Sequence, residues 1–571
     1  MTNFIKTQNS FSHGEVAPEF FARDDINGLA KLENMDVVSG GGLRRRCGTV
    51  PVAPLTAPGR LISFSVSESE NYLLALSNGH IYVYQGTQKI QDLLMPWPNT
   101  ALDTLQYAQR FGTMIFVHPD YKPRTLSKGA ARFELNEFDF ARNDSDLTVK
   151  MPFMRFDDSE DVGISVTAHA SGNNYATFTT TRAFWTADNV GGRLVLMGHQ
   201  WLITQYVSST VVVAHTNGAY SLPGSTIYDW REAAFGTRRG WPRSITFHQD
   251  RLVFGGSRAW PAGVWMSQVG RHSNFDAGTG LDDEAIFITL LSAQRQQICT
   301  VVSSDNLQIL TSVGEWAISN KPLTPSSVDI KQHTNVGSVD SRYLPPQRIE
   351  GATVFISRSM RDIRELALDE LGEHYNANDL CALAKHLMKT PVDIAYNEDS
   401  HQLFVVMSGG EMAVLNQNSA LGISAWGTYK TNGKFISVAV VGAQTYVMTH
   451  RGTSYAIERF DSTALTDAGN LGFSFSATAL PHRMSGHNAG RIRVRRITAR
   501  VLNTKSLFIN DMRADIPNRV YSGDSTGFSG DLSVNFLGTQ ASAMDSPWRI
   551  SGSEQLPATI LSVTMYGYCN V

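Results

Sequence analysis

The sequence predicts a mostly β protein built around a β-propeller of about six to eight blades. Three observations predict it: a hairpin pattern that keeps returning, the spacing of its turns, and the scarcity of helical periodicity. The clearest hairpin reads N-Y-L-L-A-L-S-N-G-H-I-Y-V-Y over residues 71–84. Two β-rich runs flank Asn78-Gly79, a dipeptide that accepts the positive φ angles of a tight turn. The shape returns around Gly409-Gly410 and Arg451-Gly452. Weaker versions turn near Asp120, Val313-Gly314 and Ser359-Met360, and another opens with L-V-F-G-G at residues 252–256.

The turns at 78 and 120 lie 42 residues apart, and those at 313, 360, 409 and 451 are separated by 47, 49 and 42. Four-stranded blades repeat at about 40–50 residues. One small antiparallel sheet cannot bury both its faces, whereas a ring of them buries each face against a neighbour and leaves only short edges. The competing arrangement is a series of unrelated hairpins in β-sandwiches. Two gaps are longer: 57 residues from 256 to 313, and 136 from 120 to 256.

The element order follows. Residues 1–50 have too little apolar pattern for a domain and read as an arm pinned onto the propeller; 51–150 hold the first blades. Residues 151–235 carry their own β-rich runs (164–181, 191–207 and 208–215), which suit a small β-barrel or sandwich inserted at a loop between blades. Residues 236–465 supply the remaining blades. Beyond this the periodicity changes, and 466–571 read as a C-terminal β-sandwich with a Gly- and Ser-rich loop over 517–531. Two short helices are expected, at 379–388 with Leu380, Leu383, Ala384 and Leu387 on one face, and more weakly at 102–109.

Composition narrows the function classes. Of 571 residues, 42% are hydrophobic and 18% charged, so the chain buries a core. A net charge of −3 lacks the basic footprint of a protein that grips nucleic acid through its phosphates. Cys47, Cys299, Cys381 and Cys569 are too scattered for a disulfide framework or zinc site and read as free thiols in a reducing cytoplasm. Residues 1–21 lack the apolar run of a signal peptide, and no stretch reaches the roughly 18 apolar residues of a membrane helix.

No catalytic constellation, metal site or cofactor motif emerges. His482 and His487 lie five apart in a Gly- and Ser-rich loop, a spacing with little meaning for metals. There is no phosphate-binding loop G-x-x-x-x-G-K-[ST]. The acidic groups Asp282-Asp283-Glu284 and Asp157-Asp158 with Glu160-Asp161 offer carboxylates for a cation or for glycoside hydrolysis. However, Ser303-Ser304-Asp305-Asn306 lacks the Gly and Trp of a sialidase turn. Two basic segments remain. One is Arg44, Arg45 and Arg46, a candidate contact of the N-terminal arm; the other is R-I-R-V-R-R-I-T-A-R, with Arg491, Arg493, Arg495, Arg496 and Arg500. On a strand, Arg491, Arg493 and Arg495 share one face while Ile492 and Val494 pack inward. Such a face contacts other subunits, stays solvated, or touches DNA phosphates.

A set of motifs, agreeing in order and spacing, carries a family resemblance. They are F-S-H-G-E-V-A-P-E-F-F-A-R-D-D (11–25), G-G-G-L-R-R-R-C-G-T (40–49), L-Q-Y-A-Q-R-F-G-T-M-I-F-V-H-P-D-Y-K-P-R-T-L (105–126) and G-R-L-V-L-M-G-H-Q-W-L-I-T (192–204). W-P-R-S-I-T-F-H-Q-D-R-L-V-F-G-G (241–256), V-W-M-S-Q-V-G-R-H-S-N-F (264–275), G-E-W-A-I-S (314–319) and Y-N-A-N-D-L-C-A-L-A-K-H-L (375–387) complete them. The chain resembles the nozzle, hub or stabilisation proteins of short-tailed (podovirus) bacteriophage tails. That resemblance implies a non-enzymatic virion protein made in the host cytoplasm. It implies a homo-hexameric ring below portal and adaptor, meeting tail fibre, spike or needle proteins, through which double-stranded DNA is retained and then ejected. The alternative function is a receptor- or glycan-binding tail protein, since propellers and sandwiches often bind sugars and the chain has 10 Trp.

Overall fold

The computed structural model describes residues 2–21, 23, 25–145, 147–172, 174–369, 372, 374–481, 492–516, 527–541 and 545–569. Its fold class is a β-propeller, with seven four-stranded antiparallel blades, six of them meanders contiguous in the chain. Contacts divide the chain into two compact units, Met1–Leu102 with Leu344–Val571, and Asp103–Tyr343. The first holds four blades and the sandwich; the second holds three blades and the insertion.

In the first unit, blade 1 is Gly59–Ser65, Asn71–Ser77, His80–Gln85 and Gln88–Leu94. Asn78 and Gly79, at φ 51° and 80°, make its tight turn. Blade 5 is Gln347–Ile349, Ala352–Ile356, Ile363–Leu368 and Tyr375–Asp379. Blade 6 is Pro391–Asn397, Gln402–Met407, Met412–Asn418 and Ile423–Tyr429. Blade 7 has three strands, Lys434–Val441, Gln444–Arg451 and Ser454–Asp461, and takes its fourth from the chain start, Gly48–Leu55.

Adjacent blades join by apolar layers. Leu61, Leu73 and Tyr84 of blade 1 pack with Tyr446, Met448 and Ile457 of blade 7. Phe404, Val406 and Val414 of blade 6 pack with Phe435, Val438 and Val447 of blade 7. Each such side chain contributes about 1.5–3 kcal/mol on burial. Polar side chains on the first strands register the blades. Gln347 Oε1 accepts the Tyr396 N–H at 3.1 Å, Asp393 Oδ2 accepts the Val438 N–H at 3.0 Å, and Ser437 Oγ accepts the Leu61 N–H at 2.9 Å. Blades 5, 6, 7 and 1 are thereby linked in order. Burial raises the carboxyl pKa of Asp393, opposed by the charge of Arg60.

In the second unit, blade 2 is Gln106–Arg110, Thr113–His118, Tyr121–Lys128 and Phe133–Glu137. Blade 3 is Ser244–His248, Arg251–Gly255, Gly263–Met266 and Ile286–Thr289; blade 4 is Ile298–Ser303, Leu307–Thr311, Glu315–Ile318 and Ile330–Thr334. Between blades 2 and 3 lies a seven-stranded sheet running from Phe153–Met154 to Trp230–Ala233 in sequence. It curls until Ile164 bridges Ile227, enclosing Phe178, Trp185, Trp201 and Trp230 as a half-barrel.

The sandwich lies in the first unit. One sheet has Thr559–Cys569 at its centre, with Ile492–Thr504 and Phe528–Ala541 on one side and Thr2–Gln8 and Leu43–Arg45 on the other. The second contains Gly28–Glu33, Phe475–Ala479 and Arg549–Gly552, and continues through Gly14–Glu15 into the last strand of blade 6. Leu29, Phe475 and Ile550 meet Ile497, Leu532 and Val563 in the shared core.

Several sequence expectations are corrected. Residues 1–50 are not an arm laid on the propeller. Thr2–Gln8, Gly28–Glu33 and Leu43–Arg45 are sandwich strands, and the sandwich is therefore not confined to 466–571. Short strands inside a larger sheet need little apolar pattern of their own, because partner strands supply the burial. The helix expected at 379–388 is a strand end, a turn and one 3-10 turn at Lys385–Leu387. The Leu380 carbonyl accepts the Trp426 indole N–H at 2.9 Å, and the Leu383 carbonyl accepts the Ala17 N–H at 2.7 Å. Tertiary partners thus take carbonyls that a helix would use. At 102–109 a 3-10 turn at Asn99–Ala101 precedes the first strand of blade 2. The 517–531 loop lies outside the described residues up to 526, and 528–531 begin a strand.

Candidate interaction face

The basic segment of the sequence forms the strand Ile492–Thr504, hydrogen-bonded on both sides. Val494, Ile497, Ala499 and Val501 enter the sandwich core. Strict alternation would then turn Arg496 inward. A bulge between Val494 and Arg496, present against both neighbours, resets the phase. Arg495 is the extra residue against Thr559–Cys569, whereas against Phe528–Ala541 the extra residues are on the partner strand; Arg493, Arg495, Arg496 and Arg500 are all exposed. The sequence pattern missed this bulge, for which nothing in R-V-R-R is diagnostic. Arg491 lies outside the described residues, as do His482 and His487.

The outward face is four strands wide. Ile5 pairs with Tyr566, which pairs with Arg496, which pairs with Asn535. The next row is a hydroxyl ladder, with Thr7 Oγ1 3.0 Å from Thr564 Oγ1 and Thr498 Oγ1 2.8 Å from Ser533 Oγ. The Arg496 guanidinium sits 4.1 Å from the Tyr566 ring centroid, and Arg495 donates to the Tyr568 hydroxyl at 2.9 Å. These contacts hold the guanidiniums over aromatic faces without neutralising them. Among the described residues of this face, Arg500 alone meets a carboxylate, Asp531, at 2.8 and 3.1 Å. That hydrogen-bonded pairing raises the Arg500 pKa and lowers that of Asp531. Ile5 is 69% exposed and Leu502 49%, and Leu537 is fully exposed on the same face.

Arg44, Arg45 and Arg46 have different fates. Arg46 is fully buried, bidentate to Asp467 at 2.9 and 2.8 Å, bonded to Asn34 Oδ1 at 2.9 Å and stacked 3.7 Å from the Phe473 ring. Removing one partner of such a pair costs about 3–5 kcal/mol, because the other charge stays buried. Arg45 donates to the carbonyls of Leu556 and Leu465, and burial, helped by the neighbouring Arg46 charge, pushes its pKa down to about 10. Arg44 is exposed at a polar cleft of about 540 Å³ that also takes in Asp36, Tyr429, Gln402 and Arg459. Burial raises the Asp36 carboxyl, which accepts from the Tyr429 hydroxyl and from Gln402, and pushes the Cys47 thiol up to about 11.

One carboxylate of each acidic group is held by neighbouring chain. Glu284 accepts the N–H groups of Thr279, Gly280 and Leu281 at 2.5–2.8 Å, and Asp158 is bound by Arg238 and Arg239. Among the described residues, no group of three or more His, Cys, Asp or Glu is placed to hold a metal ion, and no helix is long and apolar enough to cross a membrane. Cys47, Cys299 and Cys381 are free thiols. Eight of the 10 Trp are buried, and Trp241 and Trp260 are half-buried.

Sequence reasoning also passed over the roles of the densest motif, residues 241–256. Gln249 and Asp250, at φ 44° and 59°, form the turn between the first two strands of blade 3. His248 Nδ1 lies 2.9 Å from Ser303 Oγ of blade 4, and burial drives its pKa down to about 4. Arg251 is fully buried and donates to the carbonyls of Ser267 and Asp282, both at 2.7 Å, and of Glu284.

The fold and this face define the class: a β-propeller protein with a fused sandwich whose outer sheet presents arginine and tyrosine. No family model and no curated protein matches the chain. Among solved structures it is similar to the RRP9 WD40 repeats, at 7% identity over 73% of this chain and 100% of that one, with a TM-score of 0.36. It is similar to BBS1N in complex with ARL6DN, at 8% identity, 73% and 99% coverage and a TM-score of 0.34. A third is YCF48 bound to D1 peptide, at 11% identity, 73% and 97% coverage and a TM-score of 0.29.

Proposed function

We propose that this chain is a structural subunit of a short-tailed phage tail, one copy of a nozzle or hub ring through which DNA is held and released. The observation that carries the reading is the ordered run of motifs from residue 11 to 387, which resembles that family. Their residues serve the scaffold. Phe11 lies in the sandwich core, and Gly14 packs so tightly on Trp426 that a Cβ would sit 2.3 Å from its carbonyl oxygen. Arg46 ties the chain start to Asp467, and Arg251 fastens a blade 3 loop. A head-to-tail ring closes through a heterologous interface, and a net charge of −3 lets polyanionic DNA pass without trapping it. The glycan-binding alternative calls for exposed aromatic platforms, and no tryptophan among the described residues supplies one.

The test is electron microscopy of the purified protein, alone and mixed with the adaptor protein of a short tail. Closed rings with an open centre are expected. Persistent monomers that instead bind cell-wall glycans would overturn the reading.

A further inference from the structure

We propose that the arginine–tyrosine face of the sandwich binds the acidic blade-turn rim of a second copy of this chain. The proposal rests on the ring reading and names the surfaces that would build the ring.

The face is charged but lacks anionic partners of its own. On its four strands Asp531 is the one carboxylate among the described outward residues, and Arg500 occupies it. Arg493, Arg495 and Arg496 are left as cations beside two tyrosines and the exposed Ile5, Leu502 and Leu537. Arginine and tyrosine mixed with exposed aliphatic side chains are characteristic of protein interfaces. A surface for a nucleic-acid backbone is instead polar and strongly basic throughout.

The complementary surface lies on the propeller blades of the same unit. The turns that join the first and second strands of blades 5, 6, 7 and 1 form a continuous rim. Glu350 Oε1 of the blade 5 turn accepts the Ser419 N–H at the end of a blade 6 strand at 3.0 Å, Asn397 Nδ2 donates to the Ala443 carbonyl at 3.1 Å, and Gly442 lies against Asn71, whose amide bonds the Glu68 carbonyl. Along this rim stand Glu68, Glu70, Glu350, Glu398 and Asp399. Glu70 is engaged by Tyr72 and Glu350 by Ser419, whereas Glu68, Glu398 and Asp399 are exposed. No lysine or arginine occurs in residues 66–71, 350–351, 397–401 or 442–443, and the cations beside them, Arg44 and Arg459, line the cleft that Asn397, Ser400 and Ala443 share. One copy therefore carries a cationic face and an anionic rim at different places. That is the requirement for a heterologous contact that propagates from copy to copy.

A charge-swap experiment tests this. One variant is Arg493→Glu with Arg496→Glu; the other is Glu68→Lys with Glu398→Lys and Asp399→Lys. All five side chains are exposed, and circular dichroism with thermal melting checks that each variant folds. Sedimentation of wild type should show self-association that weakens between about 0.05 and 0.5 M salt. Each variant alone sets like charges against each other and should associate about a hundredfold more weakly. Mixing the two variants should restore association, because every contact in an alternating assembly again pairs opposite charges. Failure of the mixture to recover overturns the proposal, as does undiminished association of either folded variant. If the variants still form open-centred rings, these surfaces are wrong and the ring reading stands. A wild type that stays monomeric, alone and with the adaptor, sinks both. Retention of duplex DNA on the arginine face without self-association would also overturn the proposal.

Discussion

His248 and Arg251 show how single residues hold the scaffold. His248 is buried beside Ser303 and near the charge of Lys321, and its pKa is held near 4. In the unfolded chain it titrates near 6.5. Its neutral form is therefore the native one, and the stability it contributes is complete above about pH 6.5. As pH falls from there toward about 4 the unfolded state takes up a proton that the native state refuses, and about 2–3 kcal/mol is lost. His248→Gln keeps a polar partner for Ser303 and removes the titration. Urea denaturation of both proteins across that window should show a shallower acid-side loss in the variant; parallel curves would contradict the assignment. Arg251 brings a full charge into blade 3, where its hydrogen-bond acceptors are backbone carbonyls. Arg251→Met leaves three of these carbonyls without a donor, and about 3 kcal/mol or more should disappear from the unfolding free energy. A loss under about 1 kcal/mol would mean that water replaces the guanidinium at little cost.

At the scale of elements, the closure of blade 7 is the most exposed to test. Gly48–Leu55 runs antiparallel to Ser454–Asp461 from Tyr455↔Leu55 to Asp461↔Gly48. Deleting residues 1–55 removes that strand and the sandwich strands Thr2–Gln8, Gly28–Glu33 and Leu43–Arg45 together. The truncated chain should be insoluble or lack a cooperative melting transition, whereas an accessory arm would be dispensable. The hairpins were legible because a two-residue turn needs positive φ, and Asn78-Gly79 announces it in the chain. The fourth strand of blade 7 was not, since its partner lies some 400 residues away and no local pattern records that pairing. The expected helix at 379–388 failed for a related reason. Its apolar spacing is real, but Trp426 and Ala17 bond two of its carbonyls.

At the scale of the molecule, the candidate face was legible in part. The arginine run stood out as a chemical oddity in a chain of net charge −3, and its place on a strand followed from alternation. Which arginines reach solvent did not follow, because the bulge at Arg495 changes the phase halfway along. The tyrosines and Ile5 that share the face come from opposite chain ends, as Thr2–Gln8 and Thr559–Cys569 pair in register. The ring expected by electron microscopy belongs to this scale. If the face and the rim build it, salt should disperse it, because exposed charges attract through solvent and are screened over about 10 Å at 0.1 M.

By itself the sequence determined the β class, the blade rhythm, the insertion after the second blade and the positions of the tight turns. All of these are written in local signals: alternation, turn dipeptides and spacing. Tertiary structure alone decided that the chain start completes blade 7 and the sandwich, that Arg45 and Arg46 are buried ties while Arg44 is exposed, and that a bulge brings both Arg495 and Arg496 to the surface. The physical reason is common to all three. Each depends on which distant strand supplies a partner's hydrogen bonds and apolar cover, and that pairing is set by the packing of the whole fold.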